Sequence, residues 1–531
     1  MHSFYISCSI LTCNTLTFFI YFVVTCDGYN ILAIFPHNGW SHHIFFTALV
    51  EELATRPHNV TVINYYPVPA IPNLRHISLQ NEENATGHDV NIEVRLKLIR
   101  SDFSKAYSQA KAFQYQANAY CKKLMNNRQV QELIASASHF DVVIVEQFVT
   151  DCGLAVAYKL NAPTLGITTH ILMPWTYSRI GAPDNSGYVP NRIIAYGTKP
   201  TLWNKIKSAI INFGMNTYYT HVTQRIDQKI VNKVYPDTPL LEDLGKNMSL
   251  IMINQYFPLT GPRLYSCNVV EIGGMHIKEN VHIEDKDLQK FLDNANQGVV
   301  YISFGTVASN FPNKITNEIR KVIEMDNGNM SFVWKTNLTD WVPPSNAFTG
   351  KWMPQKAVLC HSKVIAFITH SGMLSTSEAL HCGVPIVGVP LFGDQFANAQ
   401  SAVESGLGVA VDIFTLNRLH DFKTSLKKIV QNPLYQKKAK ELSRVWKDRP
   451  LSPMDTAIFW IEYVARNKGA VNLKPPTVDM PLYQYLMLDV IFVVGSVFLL
   501  IILTVVKIGS CVMNKTQVLK IVMKENGKKN E

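Results

Sequence analysis

The sequence predicts an α/β protein built from doubly wound parallel sheets, and two stretches indicate this fold. Residues 364–389 contain a β-branched apolar run, a break at a His-Ser-Gly turn, a short helical segment and a second apolar run. This is the pattern of a strand–turn–helix–strand unit with buried parallel strands. Residues 30–65 repeat that order. Because the chain has 531 residues, we expect two or three domains.

The unit at residues 364–389 also predicts a ligand site. Its turn falls at the carboxyl edge of the sheet, where open α/β sheets bind ligands. The free amides and the dipole of the helix that follows favour phosphate. We therefore expect His370, Gly372 and the amides of Ser375 and Thr376 to face an anionic ligand. In the structural alternative, Ser375 and Glu378 form a capping box that only closes the start of the helix.

Several residues in and around this unit have a familiar spacing. They are Trp352, Gln355, His370, Gly372, Glu378, Pro385, Pro390, Asp394 and Gln395. This set closely resembles the signature of the UDP-glycosyltransferases. The resemblance implies a GT-B fold, in which two Rossmann-like doubly wound domains face each other across a cleft. It also implies that a UDP-sugar binds to the second domain and an acceptor to the first.

The resemblance implies a role for each donor-binding residue. Trp352 and Gln355 would hold the uracil and ribose, Glu378 the ribose hydroxyls, and His370 and the Gly372 amide the pyrophosphate. The remaining donor-binding residues are Ser303, Gly305, Thr306 and Ser375 near the pyrophosphate, and Asp394 and Gln395 at the sugar hydroxyls. A core position for Trp352 and an ordinary turn position for Asp394 are the structural alternatives.

Two residues depart from the family pattern. Members often carry Gly where Ser371 stands and Asn where Leu374 stands. Leu374 removes one polar partner of the phosphate, so that contact must come from Ser375 or from backbone amides. The departure resembles the insect-type branch of the family.

The first β-loop-α-β unit contains a candidate base. His37, His42 and His43 fall in the loop expected between the strand at 30–36 and the helix at 44–54. A histidine titrates near neutral pH and can take the proton of an acceptor hydroxyl. The residues alone do not choose among the three. The resemblance places the catalytic histidine directly after a serine, which is His42.

A carboxylate is expected to orient this histidine, as in a catalytic triad. The family places an aspartate at the polar end of the strand predicted here at 140–148. Glu146 occupies that position by alignment, and Asp151 fits by residue type. The alternative for Asp151 is an N-cap of the helix predicted at 153–160. Both carboxylates remain candidates at this point.

Composition excludes some classes of ligand and leaves others. The net charge is +10, but no basic run with interleaved aromatic residues predicts nucleic-acid binding. No CxxC pair suggests a zinc site, and we predict no DxD-type metal site. We therefore expect no metal and no cofactor, the UDP-sugar being a co-substrate. The cysteines expected to be mostly packed thiols are Cys121, Cys152, Cys267, Cys360 and Cys382.

Both ends of the chain predict a membrane protein of the secretory pathway. Residues 4–24 are apolar and resemble a signal peptide, with an uncleaved anchor as the alternative. Residues 486–506 are long and apolar enough to cross a membrane, and a lysine-rich tail follows. Positive residues stay cytoplasmic, so the body would be lumenal. Lys528-Lys529-Asn-Glu resembles a retrieval signal for the endoplasmic reticulum, and the candidate glycan sites are Asn59, Asn84, Asn247, Asn329 and Asn337.

The expected order along the chain is a signal peptide (1–26), an acceptor domain (27–275), a linker (276–286), a donor domain (287–449), terminal helices that return to the first domain (450–485), a transmembrane helix (486–506) and a cytosolic tail (507–531). The predicted function is inverting transfer of a hexose, glucose by the insect-type resemblance, from a UDP-sugar to the hydroxyl of a small lipophilic acceptor. The aromatic segment 168–196 would line the acceptor pocket. The alternatives left open are a membrane-anchored UDP-sugar- or lipophile-binding protein without turnover, and a homo-oligomer.

Overall fold

The computed structural model describes residues 28–80, 101–305 except 190, 192, 195 and 198, 313–412 except 327–329, and 419–528. The expected signal peptide at 1–26 lies outside the described residues, as do Thr306, Asn84 and Asn329. The described residues form two parallel sheets covered on both faces by helices, followed by one long C-terminal helix.

The first sheet has seven parallel strands. They are β1 Asn30–Ile34, β2 Asn59–Asn64, β3 Leu74–Ser78, β4 Val142–Glu146, β5 Thr164–Thr168, β6 Ile251–Ile253 and β7 Val269–Glu271. The spatial order is β3-β2-β1-β4-β5-β6-β7, so the order reverses between β1 and β4. These strands are short β-branched runs, mostly buried, which suits a parallel sheet covered on both faces.

Helices cover both faces of this sheet. They are α1 Trp40–Thr55, α2 Asp102–Asn126, α3 Arg128–Ala135, α4 Cys152–Lys159, α5 Leu202–Tyr218, α6 Gln224–Val234 and α7 Leu241–Lys246. The short α8, Phe257–Thr260, follows β6, and its Leu259 packs instead in the apolar cluster that contains Tyr301 and Phe367. Ser101 caps α2 and Thr201 caps α5, each accepting a hydrogen bond from a backbone amide three residues on.

The predicted start of α1 at residue 44 is wrong. The helix begins at Trp40, directly after the extended Gly39, so His42 and His43 lie in its first turn and not in a loop. Trp40 packs edge-on against Tyr66, with ring centroids 4.9 Å apart, and this contact supports the additional turn. Trp40 and Tyr66 are far apart in sequence, so the spacing of apolar residues within the helix could not predict this contact.

The second sheet has six parallel strands. They are β8 Val299–Ser303, β9 Ser331–Lys335, β10 Ala347–Gly350, β11 Val364–Thr369, β12 Ile386–Gly388 and β13 Gly408–Ala410. Their order is β10-β9-β8-β11-β12-β13, with the reversal between β8 and β11. The surrounding helices are α9 Lys286–Asp293, α10 Asn313–Glu324, α11 Gln355–Leu359, α12 Met373–Cys382, α13 Gln395–Ser405, α14 Leu419–Gln431 and α15 Pro433–Lys447.

After the second sheet the chain returns to the first. Helix α16, Pro453–Arg466, buries Ile458 and Ile461 in the same apolar cluster as Phe45 and Leu49 of α1. The short α17, Leu482–Tyr485, precedes α18, Leu488–Lys528. Within residues 488–524, α18 contains an apolar stretch long enough to cross a membrane, and none of that stretch is buried against the rest of the chain.

The capping-box interpretation of Ser375 and Glu378 is wrong. The N-cap of α12 is Gly372, so Ser375 is already the third helical residue and Glu378 lies one turn beyond it. Both side chains instead contact Gln355. Helix α12 otherwise ends as expected, with Gly383 in the left-handed conformation.

The expectation of mostly packed thiols is also wrong. Cys121 of α2 is bonded to Cys152 at the start of α4, and Cys360, after α11, is bonded to Cys382 at the end of α12. Cys267 is a free, exposed thiol. The bonded pairs are 31 and 22 residues apart, and only the packing of the helix ends brings them together.

Candidate active site

The carboxyl edges of the two sheets face each other across one cleft of about 810 Å³. In each sheet the strand order reverses at a point that opens onto this cleft. Doubly wound sheets bind their ligands at such a point. One wall carries His42, which follows β1, and the other carries Gly372, which follows β11.

His42 is held by Glu146 at the end of β4. His42 Nδ1 lies 2.5 Å from Glu146 Oε1, and the carboxylate also accepts a 3.4 Å hydrogen bond from the His37 amide. Glu146 is buried, and burial raises its pKa to about 7. The carboxylate accepts a hydrogen bond from Nδ1–H, and in this tautomer the lone pair is on Nε2. This is the orientation that a general base requires.

The other ring nitrogen of His42 faces Thr169, which follows β5. Thr169 Oγ1 lies 3.2 Å from His42 Nε2, so a hydroxyl can reach this nitrogen at hydrogen-bond distance. Phe148 packs against the imidazole with ring centroids 5.1 Å apart, and Phe113 packs against Phe148. The base therefore sits beside an apolar wall. Sequence reasoning missed Thr169, which stood only within a segment expected to line the pocket.

Asp151 does not contact His42. Its two carboxylate oxygens accept hydrogen bonds from both terminal nitrogens of the fully buried Arg179, at 2.9 and 2.8 Å. Tyr219 and Gln224 donate to it as well. Asp151 occupies the N-cap position of α4 but makes no side-chain capping bond there. Asp151 therefore takes the predicted N-cap position without a capping bond and does not orient His42, whereas Glu146 is the carboxylate that meets His42.

His37 completes the polar group around the candidate base. Its ring packs on that of His42 at 4.1 Å between centroids, and its Nδ1 accepts a hydrogen bond from the Gly39 amide. Ligand atoms of His37, His42 and Glu146 lie within 4.8 Å of one another, a spacing that a metal ion would also accept.

On the facing wall, Gln355, Ser375 and Glu378 form one hydrogen-bonded group. Gln355 Nε2 donates to Ser375 Oγ at 2.9 Å and to Glu378 Oε2 at 2.5 Å, and Tyr301 donates to Gln355 Oε1. Burial raises the pKa of Glu378 to about 7, while Gln355 opposes that rise. The group presents carboxylate and amide atoms to the cleft, which suits sugar hydroxyls.

His370, just before α12, is enclosed by Gly305, which follows β8, and by Gly372, the N-cap of α12. A Cβ on Gly305 would lie 2.8 Å from His370 Cε1, and one on Gly372 would lie 2.5 Å from Nε2. Burial lowers the pKa of His370 to about 4, with Asp394 opposing. The imidazole is therefore neutral at pH 7 and offers a hydrogen bond rather than a charge. Glycine, which has no Cβ, allows the backbone at both positions to approach the imidazole this closely.

A cation that sequence reasoning missed lies at the end of β9. Lys335 is 9% exposed and lines the cleft, with its Nζ 4.2 Å from the ring centroid of Trp352. Burial lowers the pKa of Lys335, with Glu378 opposing. Trp352 is 64% exposed, so the core alternative for that residue is wrong. The available signal was a lysine that ends a buried strand at the carboxyl edge.

The remaining predicted donor residues fall into two groups. Asp394 and Gln395 line the cleft at the start of α13, where Gln395 Oε1 accepts hydrogen bonds from the Leu391 and Phe392 amides. Its amide nitrogen is the part left to face a ligand. Ser303, by contrast, is fully buried, does not line the cleft, and accepts a hydrogen bond from the Gly305 amide. It supports the turn to Gly305, and its expected place near the pyrophosphate stays a prediction.

Comparison with known families decides what this cleft belongs to. The profile of the family described as "UDP-glucoronosyl and UDP-glucosyl transferase" matches residues 31–525. The chain belongs to the UDP-glycosyltransferase family. As a member, it is a glycosyltransferase that takes sugar from a UDP-sugar.

Relatives of this UDP-glycosyltransferase come from insects and mammals. UDP-glucosyltransferase 2 of Dactylopius coccus is 33% identical over 486 residues, covering 90% of this chain and 92% of its own. UDP-glucuronosyltransferase 1A7 of Mus musculus is 29% identical over 492 residues, covering 90% and 89%. The two names indicate different donor sugars, so similarity alone does not choose the sugar.

Solved structures of glycosyltransferases share the fold of this family member. A UDP-glucosyltransferase from Polygonum tinctorium has a TM-score of 0.55 at 16% identity, covering 83% of this chain and 99% of its own. LpCGTa in complex with UDP has a TM-score of 0.53 at the same identity, with the same coverage. Together with the two parallel sheets, they establish the GT-B fold.

One departure from the family pattern has a measurable cost in this UDP-glycosyltransferase. Ser371 has φ +61°, the left-handed region, and its buried hydroxyl finds no hydrogen-bond partner among the described residues. A non-glycine residue in this region costs about 1–2 kcal/mol, and glycine loses about 0.5–1 kcal/mol in chain entropy. We expect Ser371→Gly to raise the free energy of unfolding by about 1 kcal/mol in urea denaturation of the solubilised protein.

Ser371→Ala is the matched control for this prediction. It removes the unpartnered hydroxyl but keeps a Cβ at the same positive φ. The Gly variant should therefore be the more stable of the two. Equal stabilities would show that backbone strain contributes nothing at this position.

Proposed function

We propose that this UDP-glycosyltransferase moves a hexose from a UDP-sugar to the hydroxyl of a small lipophilic acceptor, with inversion at the anomeric carbon. The observation that supports this most directly is the His42–Glu146 pair, which faces the donor wall across the cleft. His42 Nε2 takes the proton of the acceptor hydroxyl, whose oxygen attacks the anomeric carbon from the side opposite UDP. The C–O bond to the diphosphate breaks in the same step, and its electron pair leaves with UDP.

Glu146 stabilises the imidazolium that forms on His42. The two groups are 2.5 Å apart, and Glu146 is 2% exposed, so their attraction is little screened by water. General-base catalysis of this kind contributes about 10²–10⁴-fold to the rate. The base wall is apolar because Phe148 and Phe113 line it, which favours phenols and lipophilic alcohols as acceptors.

Charge on the departing diphosphate needs stabilisation from the donor wall. In our proposal the Gly372 and Ser375 amides at the start of α12 and the neutral imidazole of His370 donate hydrogen bonds. Lys335 supplies a positive charge that none of these groups carries. Trp352 and Glu378 hold the uridine, and Asp394 and Gln395 the sugar hydroxyls, as the family resemblance implies.

The donor and acceptor classes are tested by one screen. Membranes containing the full chain are incubated with UDP-glucose, UDP-glucuronate or UDP-galactose and a panel of phenols and lipophilic alcohols. We expect transfer with the glucose donor, inverted products and one UDP released per glycoside. UDP-sugar binding without transfer to any acceptor would instead identify a binding protein and overturn the proposal.

The proposal requires no divalent metal for transfer. His370, Lys335 and the α12 amides act on the diphosphate, so excess EDTA should leave kcat and KM unchanged. Added magnesium should likewise have no effect on an EDTA-treated sample. Loss of transfer in EDTA with recovery in magnesium would show that this account of the diphosphate site is wrong.

We further propose that the protein is a type I protein of the endoplasmic reticulum membrane, with its catalytic body in the lumen. The apolar helix α18 and the lysine-rich C-terminal end support this orientation. Asn59, Asn247 and Asn337 are exposed and could then carry glycans. Endoglycosidase H should increase the mobility of the protein on gels, and protease added to sealed microsomes should remove only the short tail.

A further inference from the structure

Helix α5 turns its apolar side chains toward solvent and some of its polar ones inward. The exposed apolar residues are Leu202, Trp203, Ile206, Ile210 and Phe213, and the buried residues are Ser208, Ile211, Asn212 and Met215. Leu202 and Phe213 are each 74% exposed and Trp203 is 62% exposed. A helix on a water-exposed surface has the opposite arrangement. Contiguous exposed apolar residues of this kind mark a surface that contacts another protein or a membrane.

Aromatic residues of α2 extend this surface. Phe103 and Tyr107 are exposed, and the Tyr107 ring meets that of Tyr218 at the end of α5, with centroids 6.3 Å apart. Further along α2, Phe113 lines the cleft. The same helix therefore connects the exposed apolar surface with the acceptor side of the cleft. We call α5 together with Phe103 and Tyr107 the apolar face.

The charged residues on the α5 side of the apolar face are lysines, and Asp102 adjoins the face on the α2 side. Residues 199–223 contain three lysines, Lys199, Lys205 and Lys207, and no aspartate or glutamate. Lys207 contacts Asp102 of α2 at 2.8 Å. Leucine, tryptophan and phenylalanine on one side, with lysines beside them, are the composition of a helix that lies in a membrane interface. In a two-fold dimer across this face, the lysines of both copies would meet.

The chain that leads to the membrane helix is attached close to α5. Thr477 Oγ1 donates a 2.9 Å hydrogen bond to the Gly181 carbonyl, and in the segment after Gly181, Asn191 donates to Asn212 of α5. Leu488, the first residue of α18, follows Thr477 by eleven positions. Even fully extended, that length spans no more than about 40 Å. The membrane surface is therefore within reach of this side of the body.

We propose that the apolar face lies in the lipid interface of the membrane that α18 enters. Trp203, Ile206, Ile210 and Phe213 insert among the headgroups and upper acyl chains, while the exposed Lys199 and Lys205 contact lipid phosphates. The body then rests against the bilayer on two supports, a spanning helix and an interfacial one. This proposal does not depend on the proposed reaction, although it places the α2 side of the cleft toward the phase in which lipophilic acceptors dissolve.

Tryptophan quenching in the full-length protein tests the contact. The protein is reconstituted in nanodiscs of phosphatidylcholine and phosphatidylserine, with or without bromine on the upper acyl carbons. Helix α18 contains no tryptophan, so it contributes no signal. We expect brominated lipid to quench part of the emission, and Trp203→Phe to remove that quenched part. The triple variant Ile206→Glu, Ile210→Glu and Phe213→Glu should lose the quenching as well.

The control is Val342→Glu in the second domain, where the native side chain is 88% exposed. It should leave the quenching unchanged. UDP binding by each variant reports that the body is folded, and Trp203→Phe alone decides the question should the triple variant not fold. Equal quenching in wild type and Trp203→Phe overturns the proposal. Trp203 shielded from aqueous iodide but not quenched by brominated lipid would place a second copy or another protein on this face, which also overturns it.

Discussion

Replacing His42 with alanine is expected to lower kcat/KM by about 10²–10⁴-fold, the contribution of a positioned general base. The acceptor hydroxyl then has no group to take its proton, because Thr169 beside Nε2 is not a base. The donor residues lie on the other wall of the cleft, so the Kd for UDP should stay unchanged. Steady-state kinetics and calorimetric titration with UDP measure the two quantities separately.

His43→Ala is the matched control for this experiment. His43 is the next residue, lies in the same first turn of α1 and also lines the cleft. Its Nδ1, however, lies 3.1 Å from Thr47 Oγ1, and Glu146 does not contact it. We expect the His43 variant to keep activity within a few-fold of wild type. Equal losses in the two variants would remove the assignment of His42, and a weakened UDP affinity in His42→Ala would point to a distorted cleft.

The elements that the sequence predicts well are those defined by local pattern. Strand β11 occupies the predicted residues, and α12 begins at the predicted Met373, because a buried β-branched run, a turn and a glycine C-cap follow one another. Parallel strands then fix which chain segments share a carboxyl edge. The cleft could therefore be located from residues 364–389 before any contact across it was known.

The sequence could not predict the features that depend on contacts between distant segments. Lys335 and Trp352 meet because β9 and the turn before α11 end at the same edge of the sheet. Neither segment contains a pattern that predicts this contact. The disulfides join helix ends brought together by packing. Arg179 is a charged residue in a mostly apolar segment, and no sequence pattern predicts that it is buried against a carboxylate. In each case the partner is supplied by the fold.

The two carboxylates that the sequence left open should fail in different ways when replaced. Among the residues that the structure describes, Asp151→Ala leaves Arg179, a fully buried cation, with Glu242 as its one remaining acidic partner. Removing one partner of a buried ion pair costs about 3–5 kcal/mol, because the remaining charge is poorly compensated. We expect Asp151→Ala to lose about that much free energy of unfolding, and its activity to fall only as folded protein is lost. Urea denaturation followed by tryptophan fluorescence measures the change.

Glu146→Gln should show the opposite pattern. The amide keeps the size of the side chain, and burial already favours a neutral group there, since it raises the pKa of Glu146 to about 7. Stability should therefore change little. An uncharged amide cannot stabilise the imidazolium of His42, so kcat should fall by about 10²-fold or more in the folded protein. A Glu146 variant that loses stability instead of kcat, or an Asp151 variant that stays fully stable but inactive, would reverse the assignment of the two residues.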